Sequence, residues 1–446
     1  MNELRQLAAF AAETRYEDFP SDVVTRALAV LRDTIGVIIG GMNEPEVSAL
    51  AAFAATNHPG PATIFGTAHQ TRPEWAALVH GTAGTSLEMD EGHAFARGHA
   101  AIHAVPPALA LAERHDATLE DMLAALIVGY EVAARAGIAT KLRKGVHPFG
   151  AWGVLGAATV AARFKNMNAD DLLGALEVAA SYAIAPSFNT AYQGANVRNT
   201  YAGMVNQLGM QAADFYELGF RGERGGVQTA FGQLLGDSFD EGALVDGLGS
   251  RYEIMRGYFK PYSGCRYSHA AIDAALNIMD KHPFDAQDIE KVEVATYDIA
   301  AHLSDPEPHT PLAGRFSVPY IVAATLTLGH AGPLAFREEA LRSPQILGLA
   351  RRVQVSEDPA FTAMTPAKRP ARVTLHLTDG SLHEHTVTGS KGDPDQPMSE
   401  DELHEKFLDL AASSIDAEAA WAYLSQPHDL KHLFHLLKGG HYRTKP

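Results

Sequence analysis

Helix-forming segments follow one another from the N-terminus to about residue 280 of this 446-residue chain, and this run limits the possible folds more than any other feature. Apolar residues recur at three- and four-residue intervals, and the segments are rich in alanine and glycine. Because small side chains let helix axes approach closely, we expect a tightly packed bundle rather than an exposed coiled coil. The helix-periodic segments are 4–14, 22–39, 119–136, 151–164, 169–185 and 197–218.

The pattern changes after about residue 285, where β-branched, alternating sequence predicts half-buried strands. Two of these strands flank Asp379 and Gly380, a dipeptide typical of tight hairpin turns. Helical periodicity returns at 400–410 and 417–424, after a polar linker. We therefore predict a mainly α fold in which a helical domain is interrupted by a smaller α+β domain. The predicted strands are 289–297, 352–356, 372–377 and 382–387.

A single cysteine, Cys265, and a formal net charge of −17 narrow the classes of function. One cysteine excludes disulfide frameworks, cysteine-rich zinc modules, iron–sulfur clusters and racemases that use a cysteine pair. The acidic charge opposes non-specific binding to nucleic acid and to anionic membranes, so we expect neither as a partner. To bind an anionic ligand, the protein needs a local basic pocket that outweighs the repulsion from its negative net charge.

The most apolar stretches, 122–139 and 150–162, are short or are interrupted by Glu131 and Arg135. Neither supplies the ~20 apolar residues of a membrane span. The N-terminus lacks the basic and apolar regions of a targeting segment. Together with the single cysteine, which fits a reducing compartment, these features predict a cytoplasmic protein.

Common nucleotide-binding and hydrolase signatures are missing from the sequence. It has no Gly-Lys pair for a Walker loop, no HExxH and no Gly-x-Ser-x-Gly. The nearest dinucleotide fingerprint, at 247–249, has Tyr252 in place of the third glycine and follows no predicted strand. The histidines at 428–435 and 383–385 are interpreted as solvated faces, so no metal site is predicted.

Titratable residues are concentrated at several places within otherwise apolar helical sequence. Segment 87–103 holds three acids, among them Glu88 and Asp90, with three histidines and Arg97, in a glycine-punctuated loop that leads into a helix. So much charge between buried helices marks a candidate site, although a solvated connector has the same composition.

Two further histidines and a lysine are candidates. His147 precedes a proline at a predicted helix start, where the helix dipole favours a neutral imidazole; its alternative role is that of a residue next to the N-cap. In segment 258–273, Lys260 precedes a proline and His269 falls on an apolar helix, and a structural lysine–acid pair is the alternative. Tyr320, near the start of another apolar helix, adds a phenol whose role is open.

Five blocks in consistent order resemble motifs of the MmgE/PrpD family, and the resemblance covers nearly the whole chain. The blocks are an acidic stretch followed by His99, a His-Pro helix at His147, a helix ending in a Gly-Phe turn, a Lys…Cys…His segment and a Phe-Ser…Tyr helix; they span 87–99, 147–164, 196–222, 260–276 and 315–326. The resemblance implies a helical domain from 1–266 and 399–446 and an inserted α+β lid domain from 267–398. It also implies a homodimer, a small polycarboxylate ligand, and chemistry without metal or organic cofactor.

Four departures from the decarboxylase-like pattern of this family reduce the number of activities that the resemblance allows. That pattern has Asp where Glu88 stands, Thr at Gly92, Lys at Gln207 and His at Cys265. The loss of a cation and the changed acid argue against decarboxylation. The remaining residues are sufficient to remove and return a proton.

The activities that the resemblance implies include an iminodisuccinate epimerase, and among them we predict a cofactor-independent epimerase that acts at the carbon alpha to a carboxylate, with iminodisuccinate as the expected substrate. Such a reaction needs one base on each face of the carbon and cations to hold the enolate-like oxyanion. Lys260 and His99 are the candidates for the two faces, and His147 and His269 are expected to assist. A lysine that remains charged serves instead as an electrostatic clamp, with a histidine as the second base. The expected substrate-binding residues are Glu88, Asp90, Arg97, Gln207, Arg266 and Tyr320, with Lys144 as a further possible cation.

Three alternatives remain open at this point. A hydro-lyase acting on a methylcitrate-like acid uses the same base together with a general acid that expels hydroxyl. A cis-aconitate decarboxylase-like enzyme and a non-catalytic protein that binds polycarboxylates are the other two. The conjugated double bond of a dehydration product distinguishes the hydro-lyase from the epimerase.

Overall fold

The computed structural model describes residues 2–439 and confirms the mainly α fold. Helices predominate along the chain, and there is one four-stranded sheet. The helices are α1 (Asn2–Glu13), α2 (Ser21–Gly41), α3 (Pro45–Asn57), α4 (Pro73–Ser86), α5 (Ala101–His115), α6 (Leu119–Ala139), α7 (Gly153–Phe164), α8 (Ala169–Ala180), α9 (Asn189–Tyr192), α10 (Thr200–Glu217), α11 (Gly226–Thr229), α12 (His269–Lys281), α13 (Asp298–Ala301), α14 (Pro311–Arg315), α15 (Val318–Leu328), α16 (Glu338–Leu341), α17 (Pro344–Ala350), α18 (Pro359–Thr362), α19 (Glu400–Ala411), α20 (Ala417–Ser425) and α21 (Leu430–Leu437).

The strands predicted after residue 285 form one sheet with the order β10-β9-β7-β8. The edge strand β8 pairs with β7 in parallel, and the other two pairs, β10–β9 and β9–β7, are antiparallel. Three short two-stranded pairs, which the sequence pattern did not indicate, connect segments of the helical part. The strands are β1 (Ala62–Thr63), β2 (Gln70–Thr71), β3 (Gly92–His93), β4 (Thr140–Leu142), β5 (Gly236–Phe239), β6 (Gly257–Tyr258), β7 (Ile289–Thr296), β8 (Val353–Glu357), β9 (Ala371–Leu377) and β10 (Leu382–Val387).

Two large hydrophobic cores lie in different parts of the chain. The first contains buried residues from Leu4 to Phe259 and again from Met398 to Leu437, so both ends of the chain contribute to it. The second contains buried residues from Cys265 to Leu377, with Ala191 from the helical part. The domain limits 1–266, 267–398 and 399–446 remain our proposal, although the second core already begins at Cys265, so that we describe Arg266 with the second part of the chain. Residues 1 and 440–446 lie outside the described part of the chain.

Glycines allow the close helix packing that the composition predicts. A Cβ atom on Gly81 of α4 would lie 2.7 Å from the Gly203 Cα atom of α10, and one on Gly209 would lie 2.5 Å from the Val154 carbonyl oxygen of α7. Carbon atoms make van der Waals contact at about 3.5–4.0 Å, so no side chain fits at these crossings. Helices α4, α7 and α10 therefore pack backbone to backbone.

Local capping fixes where several helices begin. The Asn168 side chain accepts hydrogen bonds from the backbone N–H groups of Asp170 and Asp171 at the start of α8. Ser399 and Glu402 form a capping box at the start of α19. Helix α8 ends at Ala180, five residues before the predicted end at 185, and the chain turns at 181–182. Pro186 would in any case disfavour helix at residue 185.

One helix in the described part of the chain, Leu119–Ala139, is long and apolar enough to cross a membrane by length and composition alone. However, 94% of its most apolar window is buried within the fold. Glu131 and Arg135 of this helix pair with each other at 2.7 Å, and Arg135 also donates to backbone carbonyls of the 244–251 loop. Helix α6 is therefore a buried helix of the first core. The cellular compartment remains a prediction.

Helix α19, in the C-terminal segment that packs in the first core, carries a buried lysine that contacts the acidic loop between α4 and α5. The Lys406 Nζ atom of α19 lies 2.6 Å from Asp33 Oδ1 of α2 and donates to the Met89 carbonyl oxygen at 2.9 Å. Burial raises the pKa of Asp33 and lowers the pKa of Lys406, although their mutual attraction opposes both shifts. The two ends of the chain are therefore joined through a polar contact that also holds the backbone next to Asp90.

Replacing Lys406 with methionine removes the donor and leaves Asp33 buried without its partner. We expect K406M to lower the free energy of unfolding by about 3–5 kcal/mol in urea denaturation at neutral pH. The loss should shrink as the pH falls, because the raised pKa of Asp33 lets the folded variant take up a proton before the unfolded chain does.

The matched control is K431M, because Lys431 pairs with Asp116 on the surface, where both side chains are about 70% exposed. We expect this control to change the free energy of unfolding by less than about 1 kcal/mol. Equal losses for the two variants would contradict a structural role for the buried pair.

Candidate active site

A small cavity of about 40 Å³ lies between the two cores and is lined by half of the predicted site residues. Its walls come from both parts of the chain, with four arginines, two histidines and several aromatic rings. The residues that line it are Glu88, Arg97, Gly98, His99, His147, Pro148, Phe188, Arg198, Tyr258, Cys265, Arg266, Tyr267, Phe316 and Arg369.

The loop between α4 and α5 forms one wall and has strained backbone at two positions. Glu88 and Arg97 both have φ of 54°, in the left-handed region that residues with a Cβ atom seldom adopt. Strand β3 in the middle of this loop pairs with β6, which places Gly92 opposite Tyr258. A Cβ atom at Gly92 would lie 2.4 Å from the Tyr258 ring, so only glycine leaves room for that phenol at the cavity.

Lys260 lies behind the cavity wall between two carboxylates. Its Nζ atom is 3.2 Å from Asp90 Oδ1 and 3.4 Å from Glu88 Oε2, and all three side chains are about 2% exposed or less. Burial opposes the charge on Lys260, but Asp90 and Glu88 outweigh it and raise the lysine pKa above its ordinary value. Lys260 is therefore a charged ammonium, and the alternative of a neutral lysine base does not fit this geometry.

His99 is held in one tautomer by the Glu91 carbonyl oxygen, which accepts a hydrogen bond from its Nδ1 atom. Its Nδ1 atom lies 2.7 Å from the Glu91 carbonyl oxygen and 2.9 Å from Asp90 Oδ2. Burial would raise the pKa of Asp90, but His99, Lys260 and Arg198 lower it well below its usual range, so the carboxylate is ionised. In neutral His99 the proton must then be on Nδ1, which leaves Nε2 with a free lone pair.

The second imidazole of the cavity, His147, differs from His99 because both of its ring nitrogens face N–H donors. The Phe149 backbone N–H approaches Nδ1 at 3.3 Å, and Arg198 Nε approaches Nε2 at 3.3 Å. Burial and then the Arg198 charge lower the pKa of His147 well below its ordinary value. His147 is therefore a neutral group in contact with a cation.

Arg198 is a buried cation that joins three parts of the site. It pairs with Glu88, donates to the Thr85 carbonyl oxygen at 3.1 Å and lies 4.5 Å above the centre of the Phe149 ring. It is the only charged residue between Glu177 and Asp214, which is the signal by which sequence analysis could have found it.

Arg266 approaches the cavity from the second core and is held by several partners. It pairs with Asp393 at 2.6 Å and donates to the Lys391 carbonyl oxygen at 2.9 Å. His269 accepts from Arg266 through Nδ1 at 3.0 Å, and its Nε2 donates to the Gly264 carbonyl oxygen at 3.2 Å. Burial and then the Arg266 charge lower the pKa of His269 well below its ordinary value. His269 therefore positions Arg266 and does not line the cavity itself.

Other predicted residues lie away from the cavity. Gln207 lies on α10, half-buried, outside the cavity lining. The Tyr320 hydroxyl donates to the Ala335 carbonyl oxygen at 2.7 Å within the second core. Lys144 is exposed on a loop. We therefore no longer place these three residues at the substrate.

The remaining histidines of the acidic loop have structural partners. His93 Nε2 lies 3.2 Å from Glu253, and His103 Nδ1 lies 2.9 Å from the Asn206 side-chain oxygen. Within residues 2–439, no group of three or more His, Cys, Asp and Glu side chains is arranged to hold a metal ion. Chemistry without metal or cofactor remains a prediction of the sequence.

The chemistry available is proton transfer at a carbon next to a carboxylate. His99 supplies a base, and the arginines supply positive charge for an anionic substrate and its enolate. However, about 40 Å³ holds only a few water molecules, and small-molecule sites usually measure about 300–1,000 Å³. The cavity is therefore smaller than a usual small-molecule site.

Comparison with known families matches both parts of the chain. Residues 5–235 match the MmgE/PrpD N-terminal domain, and residues 262–425 match the MmgE/PrpD C-terminal domain.

Several characterised relatives are similar over much of their length. Cis-aconitate decarboxylase of Aspergillus terreus is 24% identical over 92% of this chain and 89% of its own. The Mus musculus enzyme of the same name is 25% identical over 77% of this chain and 72% of its own. 2-Methylcitrate dehydratase of Salmonella typhimurium is 24% identical over 52% of this chain and 50% of its own.

Cys265 provides a test of the cavity that needs no substrate. Burial, followed by the charge of Glu88, raises the pKa of the Cys265 thiol to about 11. Because the thiolate is the nucleophile, we expect iodoacetamide at about pH 8 to modify the folded protein roughly 100-fold more slowly than a free thiol.

Urea-unfolded protein is the control, and its single cysteine should react at the rate of the free thiol. Mass spectrometry measures the rate of modification. If the folded protein reacted as fast as the unfolded protein, the cavity would not protect the Cys265 thiol, and this result would contradict the prediction.

Proposed function

The chain belongs to the MmgE/PrpD family, and from this premise we propose that it is a hydro-lyase acting on a small polycarboxylate. The relatives' names describe a decarboxylase of cis-aconitate and a dehydratase of 2-methylcitrate, both of which are lyases. The observation that carries the proposal is the fixed tautomer of His99, which gives the cavity one base. An elimination that starts with one proton abstraction needs no second base.

In the proposed reaction, His99 Nε2 takes the proton from the carbon next to a substrate carboxylate. The negative charge that develops on that carboxylate is stabilised by Arg198 and Arg266, both of which line the cavity. The carbon–oxygen bond to the neighbouring hydroxyl then breaks, and the electron pair of the carbanion forms the carbon–carbon double bond. The departing hydroxide takes the proton from His99 and leaves as water, so His99 returns to its neutral form.

Asp90 and Lys260 support this step without contacting the substrate in our scheme. Asp90 Oδ2 lies 2.9 Å from Nδ1 of His99, and its charge stabilises the imidazolium that forms during the reaction. Lys260 compensates the charges of Asp90 and Glu88, which would otherwise repel each other and an anionic substrate. The role of Lys260 as a proton-abstracting base, which the epimerase hypothesis requires, is not supported by its raised pKa.

Three of the four departures from the decarboxylase-like pattern occur at or beside the cavity. Glu88 and Cys265 line it, Cys265 as a neutral thiol where that pattern has a histidine, and Gly92 leaves its space to Tyr258. Gln207, the fourth departure, lies outside the lining. The changed residues at the cavity favour dehydration over decarboxylation.

Epimerisation of iminodisuccinate remains the second candidate, because it begins with the same proton abstraction. It requires a base on the opposite face, and His147 is the other imidazole of the cavity. The Arg198 and Phe149 donors that face both nitrogens of His147 count against that role.

Proton NMR in ²H₂O distinguishes the candidate reactions on a panel of 2-methylcitrate, cis-aconitate and single isomers of iminodisuccinate. The hydro-lyase should convert 2-methylcitrate to an unsaturated product with new vinyl signals and ultraviolet absorbance. Deuterium incorporation with inversion of iminodisuccinate, and no turnover of 2-methylcitrate, would replace our proposal with the epimerase. Release of CO₂ from cis-aconitate would replace it with the decarboxylase.

Substitution of the proposed base should remove activity on whichever panel member the wild-type enzyme turns over. We expect H99Q to lower kcat at least about 100-fold, the usual contribution of general-base catalysis, with a small change in KM. The control is H302Q, because His302 is exposed on the second part of the chain and should leave kcat unchanged. An H99Q variant with wild-type kcat would exclude His99 as the base.

A further inference from the structure

Three of the cations at the cavity are compensated by carboxylates of the protein. Lys260 lies between Glu88 and Asp90, and Arg198 also pairs with Glu88. Arg266 pairs with Asp393. These three cations and three carboxylates leave no net charge.

Two further arginines line the cavity without a carboxylate. Within residues 2–439, neither Arg97 nor Arg369 has an Asp or Glu oxygen within 4.0 Å. Arg97 is exposed on the strained part of the acidic loop. Arg369 lies 5.7 Å from the centre of the Tyr258 ring and 5.6 Å from that of Tyr267. The cavity therefore has two uncompensated positive charges inside a protein whose net charge is −17.

These two arginines come from opposite sides of the cavity. Arg97 belongs to the loop before α5, within the first core's part of the chain, and Arg369 directly precedes β9 of the second. Arg369 Nη2 reaches across to the Ala94 carbonyl oxygen at 3.5 Å, which is a long hydrogen bond. A substrate oxygen that is charged offers Arg369 a stronger acceptor than this carbonyl.

We propose that Arg97 and Arg369 determine substrate specificity by each binding one carboxylate of the substrate, one from each side of the cleft. This inference rests on the proposed function and goes beyond it, because it specifies that the substrate must carry two carboxylates able to reach both arginines at once. The doubly bound substrate joins the two parts of the chain. A monocarboxylate engages one arginine and leaves the other uncompensated.

Binding of unreactive acids tests this proposal without turnover. Tricarballylate, glutarate and butyrate carry three, two and one carboxylates on short chains, and none has a hydroxyl leaving group. Calorimetry at constant ionic strength should show affinity falling in that order for the wild-type protein. R97Q and R369Q should each weaken tricarballylate binding at least about tenfold, the value of a charge-assisted hydrogen bond, and should leave the weak binding of butyrate nearly unchanged.

Two further variants keep the test decisive. R224Q removes an exposed arginine outside the cavity lining and should bind tricarballylate as the wild type does. R369K keeps the charge at a half-buried position and should recover part of the affinity lost in R369Q, which a merely misfolded variant would not do.

Tricarballylate affinities of R97Q and R369Q within twofold of the R224Q control would overturn the proposal. The hydro-lyase proposal would survive that result, because it depends on turnover and on His99. Conversely, a protein that binds tricarballylate through both arginines and turns over no polycarboxylate would retain this binding site and lose the proposed reaction.

Discussion

The ion pair of Lys260 with Glu88 and Asp90 is the interaction on which the site depends. Two carboxylates buried next to each other would take up protons or separate if no cation lay between them. The ammonium helps to keep Asp90 ionised, and ionised Asp90, 2.9 Å from His99 Nδ1, adds to the Glu91 carbonyl oxygen in favouring the proton of His99 on that nitrogen. The free lone pair on Nε2 follows from that arrangement. A base in the cavity is thus a consequence of charges buried behind its wall, and the lysine takes no proton from the substrate in this account.

Both parts of the chain contribute residues to the cleft, and they contribute different functional groups. The helical part supplies His99, Asp90 and Arg198, while the second part supplies Arg266 and Arg369. Lys406, from the segment that returns after the α+β part, supports the backbone next to Asp90. The base is therefore held by a core built from both ends of the chain, whereas two of the arginines belong to the other core. The base and the substrate-binding arginines thus come from different cores and meet at the cavity.

Much of the fold was predictable because helical and strand periodicity are local properties. The order of long helices and the four strands of the sheet follow from the sequence, and His99, His147, Arg97 and Arg266 were all placed at the cavity. Arg369 was not predicted, since it lies in a basic loop without a motif and reaches the cavity only through packing of the two parts. His269 and Tyr320 lie in the right segments, but hydrogen bonds to Arg266 and to a backbone carbonyl turn them away from the cavity. Which face of a buried helix meets a cavity is a property of tertiary structure, so spacing alone does not settle it.

The most direct test of the account is the tautomer of His99. Nitrogen NMR of ¹⁵N-histidine-labelled protein at about pH 8 reports which ring nitrogen carries the proton, and the signals missing from H99Q assign the residue. The account predicts a protonated Nδ1 and an unprotonated Nε2, with D90N disturbing this preference. A proton on Nε2 in the wild-type protein would contradict it, because the cavity would then present a donor where the reaction needs a base.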